Sequence, residues 1–213
     1  MESKALLHFN KSPPSTNGIS EMAEKHAAFA IPDSLATDED LIALVSRGDI
    51  EAFERLVQRH QKSALRAAQR FLGDPVEAED LAQDAFLQVY HQAHRYRAER
   101  AAFKTWFFTI LLNLCRNAIK KKRLVYSDNP SSDARDRDDP STLLSRQEQA
   151  RALAEAILKL PPNQRSAFIL CHYENFSYAE AAQSLGVSLK AIESLLVRAK
   201  RTLRDELAWL KKP

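Results

Sequence analysis

The chain has 213 residues, 45% of them hydrophobic, and a net charge of +3, so it holds enough apolar material for one or two small cores. With 2 cysteines it cannot be a disulfide scaffold, and Cys115 and Cys171 are read as buried thiols of a cytoplasmic protein. It has no apolar run of about 18 residues to span a membrane and no secretory apolar region at its N-terminus, while the slight basic excess permits nucleic-acid binding without establishing it. Gly is scarce, Ala, Leu, Arg, Glu and Gln abound, and little of the sequence alternates with period two, so the chain reads as all-α.

Residues 1–36 include KSPPSTNG and read as a flexible tail, with Met22 an alternative start. Order is expected from Thr37, where T-D-E-D resembles a helix start and Leu41, Ile42, Leu44 and Val45 follow. Gly48-Asp49 breaks that helix and opens another, about Ile50 to Leu72. Its buried side is marked by Ala52, Phe53, Leu56, Val57, His60, Ala64, Ala67, Ala68 and Phe71, and Gly73 ends it. Asp74-Pro75 starts a third helix, running to about His94, with an N-cap, Pro at the first position and Glu77 in a D-x-x-E box. After a loop from Arg95 to Ala101, a long helix is expected from Ala102 to Arg123. The stretch 124–140, LVYSDNPSSDARDRDDP, reads as a linker that spans at most roughly 55 Å when extended. A second helical set begins near Ser141 and runs to Lys159; Leu160-Pro161-Pro162 then opens a helix from Asn163 to Tyr173. The expected architecture is two small helical domains, 37–123 and 141–213, on a tether.

The stretch from Ser177 to Arg201 has helix-turn-helix spacing. Ser177 and Glu180 form a capping box. Ala181, Ala182 and Leu185 make one helix apolar, and Gly186 supplies a left-handed turn. Ser188 caps the second helix. Ile192, Leu195, Leu196 and Ala199 would pack it back, leaving Lys190, Ser194, Arg198 and Arg201 to meet DNA.

Two further helices carry patterned polar faces. Glu77, Asp80, Asp84 and Gln88, with Gln83 beside them, share one face of the third helix, and Ala78, Leu81, Ala85 and Val89 form its apolar side. Such a stripe is either a solvated face or a docking surface for a basic partner. On the long helix Phe103, Phe107, Ile110, Leu114 and Ala118 follow core spacing. Trp106, Thr109, Asn113, Arg116, Asn117 and Lys120 form the other side, and Lys120, Lys121, Lys122 and Arg123 end it. Cations, amides and an aromatic plane suit single-stranded DNA, although Trp106 fits a core position equally well. His91-x-x-His94 lacks further metal-spaced ligands, Cys171-His172 lies on an apolar helix, and no phosphate-binding or nucleophile motif exists. No catalytic residue, metal or cofactor is expected.

Together these residues resemble the extracytoplasmic-function group of bacterial sigma-70-type RNA polymerase sigma factors. RGDIEAFERLVQRH, DPVEAEDLAQDAFLQVY and AFKTWFFTILLNLCRNAIKKKR resemble sigma region 2, and the chain from LPPNQRSAFILCHYENF through the helix-turn-helix to TLR resembles region 4. The resemblance implies a subunit that binds core RNA polymerase through its β′ clamp and β subunits, reads the −10 and −35 promoter elements and helps melt the DNA, with an anti-sigma factor as regulator. It assigns Asp80, Gln83 and Asp84, with Glu77 and Gln88 on the same face, to the clamp. It assigns Asn113 and Asn117 to flipped −10 bases and the loop from Arg95 to Ala101 to receiving one, with Trp106, Arg116, Lys120, Lys121, Lys122 and Arg123 beside them. On the −35 side it assigns Lys190, Ser194 and Arg198, flanked by Ser188, Ala191 and Arg201. The chain departs from the family where Glu193 and Leu195 replace frequent basic residues, which is expected to weaken phosphate contact or shift −35 preference. Residues 1–36 match nothing in the family pattern. The alternative readings are a free-standing helix-turn-helix regulator that binds duplex DNA without polymerase, and a helical adaptor with no nucleic-acid role.

Overall fold

The computed structural model describes residues 36–126 and 146–211, and the described residues contain helices and no strand. The readings of 1–35 as tail, of 127–140 as linker and of a helix start at 141–145 lie outside the described residues.

The chain runs as α1 (Asp38–Val45), α2 (Ile50–Leu72), α3 (Pro75–Gln92), a 3-10 turn (Ala93–Arg95), α4 (Phe103–Tyr126), α5 (Arg146–Lys159), α6 (Pro162–His172), α7 (Tyr178–Leu185), α8 (Leu189–Glu206) and a final 3-10 turn (Ala208–Lys211). The breaks sit where the sequence places them. Asp49 caps α2 by accepting from Ala52 N, and Asp74 caps α3 by accepting from Val76 N and Glu77 N. Gly73 closes α2 at φ 76°, the left-handed conformation that costs a side chain energy. Two boundaries differ. The third helix ends at Gln92 and tightens into a 3-10 turn, and α4 continues three residues past Arg123, because Leu124–Tyr126 extend its hydrogen-bonded ladder.

The first four helices share a core of Leu41 and Ile42 from α1, Leu56 and Phe71 from α2, Phe86 and Val89 from α3, and Phe103 and Phe107 from α4. Phe86 stacks on Phe107 at 4.8 Å, and the His60 ring lies 5.3 Å from Phe103. The acids that open α1 do more than favour its N-terminus. Asp38 accepts from Arg59 Nη1 at 2.8 Å and pairs with His60 Nε2 at 2.6 Å. Burial would raise the Asp38 pKa, but the hydrogen bonds from His60 and Arg59 outweigh it and hold the carboxyl below its ordinary value. Glu39 accepts from Phe103 N at 2.9 Å, so α1 supplies the cap that starts α4.

The second set forms its own cluster around Ala156 and Ile157 of α5, Leu160 just after it, and Ala199 and Leu203 of α8. The two sets, read in the sequence as tethered, are packed against each other within one compact unit that begins at Asp38. The main tie is Arg165 of α6, which is 8% exposed. Its guanidinium donates to the carbonyls of Phe71, Leu158 and Leu160, at the C-terminal ends of α2 and α5. These are places where carbonyls lack helical partners and where positive charge is favoured. Burial lowers the Arg165 pKa. A second tie joins α4 to the loop after α6. Lys104 Nζ donates to the Glu174 carbonyl at 2.5 Å, and Phe108 meets Phe176 edge-on at 5.3 Å. The second set also explains why α4 buries more than its amphipathic pattern predicts. Phe108, Leu111 and Leu112 are buried, whereas Leu114 and Ala118, expected in the core, are only half-buried.

Two outcomes follow for the joint between the sets. Arg165→Met keeps the volume but strips three carbonyls of their donor, and is expected to destabilise the protein by roughly 3 kcal/mol or more. Arg165→Lys should recover only part of that, because one ammonium cannot serve two helix ends as a planar fork does. Urea unfolding of the three proteins measures both effects. Glu174 behaves in the opposite way. Burial raises its pKa above the ordinary 4.5 against the pull of Lys104, Arg70 and Arg66. The folded state therefore loses stability as pH rises from the ordinary value through the raised one, and the loss persists above it. Glu174→Gln should match the wild-type melting temperature at about pH 4 and exceed it at about pH 7; thermal melts at the two pH values check this.

Candidate nucleic-acid and protein interfaces

Helix α3 presents its acidic face to solvent. Asp80, Gln83 and Asp84 are exposed, while Glu77 and Gln88 are half-buried. Among the described residues neither Asp80 nor Asp84 has an ion-pair partner, but Lys122 Nζ reaches Glu77 Oε2 at 2.6 Å. One end of the stripe is thus neutralised from within, and its charge is concentrated on Asp80 and Asp84. The sequence reading missed two apolar side chains beside them: Val76 is 69% exposed and Leu87 54%. A face that combines carboxylates with uncovered aliphatic groups suits a protein partner better than water.

The second surface lies along α4 and the loop before it. Trp106 is half-buried, 5.3 Å from the Tyr96 ring and 6.2 Å from Phe103, so it belongs to an aromatic cluster and keeps one side open. Tyr96 OH donates to Ala101 O at 2.9 Å and pins the loop. Burial and the nearby Glu39 push the Tyr96 phenol up to about 12, so it stays a donor. Between this loop and α1 lies a cavity of about 220 Å³, lined by Glu39, Ile42, Ala93, His94, Tyr96 and Glu99 among others. Arg95 is exposed and does not line it, whereas its neighbours His94 and Tyr96 do.

Further along α4, Asn113 and Asn117 are exposed one turn apart. Arg116 Nη2 donates to Asn113 Oδ1 at 2.9 Å and its Nε to Leu112 O at 3.3 Å, which holds the Asn113 amide oxygen in place. Lys120 and Lys121 are exposed; Lys122 is occupied by Glu77; the Arg123 side chain lies outside the described residues. Thr109, expected on this polar side, is covered instead by α7, where it meets Ser184 Oγ at 3.2 Å.

The third surface is the helix-turn-helix. The Ser177–Glu180 capping box is complete, Gly186 turns the chain at φ 65°, and Ser188 accepts from Ala191 N. Ile192, Leu196, Ala199 and Leu203 bury one stripe of α8, and Leu195 is half-buried. On the outer side Ser188, Lys190, Ser194, Arg198 and Arg201 are all exposed; Ala191 is half-buried. An exposed helix with cations at this spacing can enter a DNA groove.

Other chemistry finds no site among the described residues. They contain no group of His, Cys, Asp and Glu able to hold a metal and no helix long and apolar enough to cross a membrane. Cys115 is buried, and burial pushes its thiol up to about 12.

Known proteins match the chain in the same order as these surfaces. Residues 56–125 match the Sigma-70 region 2 family model and residues 150–203 the Sigma-70, region 4 model. The RNA polymerase sigma-H factor of Pseudomonas aeruginosa is 30% identical, the match covering 80% of this chain and 93% of that protein. The RNA polymerase sigma-E factor of Streptomyces avermitilis is 34% identical, covering 76% of this chain and 89% of that one. Among solved structures, CnrH in complex with the cytosolic domain of CnrY superposes with a TM-score of 0.63 at 29% identity, covering 80% of this chain and 97% of that chain.

Proposed function

The chain belongs to the extracytoplasmic-function group of the sigma-70 family of RNA polymerase sigma factors, and we propose that it divides initiation among its three surfaces. It binds core RNA polymerase, recognises the −10 and −35 elements of its promoters and promotes DNA melting, in the cytoplasm where the polymerase works. The synthesis chemistry belongs to the polymerase.

The observation that carries the division of roles is the separation of charge by helix. Asp80 and Asp84 stand exposed beside Val76 and Leu87 on α3, with no ion-pair partner among the described residues, whereas the exposed cations of α4 and α8 belong to other helices, with Lys122 alone among the described residues reaching back to the stripe, at Glu77. Opposite charge on separate surfaces keeps the polymerase-docking face from competing for phosphates and gives each partner its own electrostatic target. The clamp of the polymerase therefore takes the α3 face. Asn113 and Asn117 contact bases of the opened −10 strand, Lys120 and Lys121 hold its phosphates, and the cavity beside Tyr96 receives one base. Unstacking that base costs a few kcal/mol, offset by the pocket and the aromatic cluster. In the second set α8 enters the major groove at the −35 element. That the similar structure, CnrH, is in complex with the cytosolic domain of CnrY supports a protein partner as this chain's regulator.

The deciding experiment is run-off transcription with purified core polymerase, full-length protein and genomic fragments. Specific transcripts that require the protein support the reading. Tight sequence-specific duplex binding by the protein alone, with no transcript, would favour a free-standing regulator. Asp80→Lys combined with Asp84→Lys should reduce co-purification with core polymerase by about tenfold or more, since a charged interface loses roughly 1.4 kcal/mol per tenfold. Lys120→Glu with Lys121→Glu should leave that association intact and weaken open-complex formation. The salt dependence of promoter binding should become shallower by roughly one unit of slope for each lysine that no longer neutralises a phosphate.

A further inference from the structure

The outer side of α8 carries a second, acidic and apolar, row that the basic row does not explain. Leu189, Glu193 and Val197 recur every four residues, so they stack along one stripe of the helix. Leu189 is 49% exposed and Val197 68%, although the neighbouring stripe of the same helix, about 90° round, is buried at 0–6%. Glu193 is exposed between them, and among the described residues it has no ion-pair partner. Its neighbours at i−4 and i+4 are apolar, so neither can pair with it on the helix surface, and Lys190 precedes it at i−3, the weaker order for such a pair. The cations Lys190, Arg198 and Arg201 stand along one flank of this row and the buried stripe along the other.

A carboxylate carried towards DNA by a cationic helix is repelled by phosphates unless a base offers it a donor. In the major groove only cytosine N4 and adenine N6 do so; guanine and thymine present acceptors. Beside adenine N6 stands N7, another acceptor, which repels the second carboxylate oxygen, so cytosine is the better partner. The apolar group of that groove is the thymine methyl. Leu189 and Val197 each lie about 6 Å along the helix from Glu193, a distance of roughly two base steps.

We propose that Glu193 is a specificity-determining residue that reads a cytosine in the upstream promoter element by accepting from its N4 amino group, with Leu189 and Val197 against thymine methyls within two steps. The proposal rests on the reading of α8 as the −35 helix and deepens it. The carboxylate contributes no phosphate affinity; it rejects guanine and thymine at one position and selects cytosine there.

The test is run-off transcription by core polymerase with the full-length protein on a template pool randomised through the upstream element, followed by sequencing of the transcribed templates. The wild type should show cytosine at one position, with thymine enriched within two steps. Glu193→Ala should lose roughly 5- to 150-fold of discrimination at that position alone, the range of one base contact. Glu193→Gln should shift the preference there to adenine, which a carboxamide matches through N6 and N7. Leu189→Ala and Val197→Ala should relax only the thymine positions. If both Glu193 variants keep the wild-type base preference while Lys190→Ala and Arg198→Ala still lower transcription, Glu193 is not a reader and the assignment of α8 survives. A wild-type preference for guanine or thymine at the position that Glu193 variants alter also overturns the proposal. If no template depends on the upstream element, and the Lys190 and Arg198 variants are silent, the assignment of α8 fails with it.

Discussion

One guanidinium joins the two halves of this protein. Arg165 sits where α2 and α5 both run out of amide donors and serves the carbonyls of Phe71, Leu158 and Leu160. It costs desolvation energy to bury, and it is compensated by two helix C-termini whose dipoles favour a cation. Around it the joint is completed by apolar packing and by the Lys104–Glu174 and Thr109–Ser184 hydrogen bonds. Leu158 lies so close to Gly73 that a Cβ there would meet its Cδ1 at 2.5 Å, so the glycine that ends α2 also makes room for α5. With α5 and α6 fixed on α2, the loop that follows brings Phe176 onto Phe108, and α7 comes to rest on α4 beside Thr109.

That arrangement sets what each surface can meet. The far side of α3 is left open, with its carboxylates and two aliphatic side chains. On α4 the stretch from Asn113 to Lys121 projects clear of α7, while the turn around Thr109 does not. The basic row of α8 faces away from its buried stripe, and the row of Leu189, Glu193 and Val197 lies between the two, so the exposed surface carries two rows of different chemistry. Cations hold the backbone of a nucleic acid without regard to sequence, whereas an acid among them gains only from a donor in the right place. Affinity and discrimination are thereby assigned to different side chains of one helix.

Local chemistry made most of the elements legible. Asp49, Asp74, Ser177 and Ser188 are caps, Gly73 and Gly186 are left-handed stops, and the buried stripe of α8 follows its apolar spacing, all decided by residues within a few positions of one another. The acidic and basic faces were legible for the same reason. What the sequence hid depends on residues far apart in the chain. Phe108 is buried against Phe176, which lies in the second helical set far along the chain. Nothing local around Arg165, between Gln164 and Ser166, announces that two other helices end beside it. Glu77 appears to belong to a cap box and a docking stripe, yet its carboxylate is taken by Lys122, 45 residues away. Glu39 appears to favour its own helix and instead starts another, 64 residues on.

The Arg165 tie also governs how the halves can part. Sliding α6 a little way off α2 leaves a cation still buried with part of its oxygen shell gone, which is worse than either the seated or the fully hydrated arrangement. Partial separation is therefore penalised. The two helical sets should release from each other, and lose their structure on heating, in an all-or-none step that calorimetry would record as one peak rather than two.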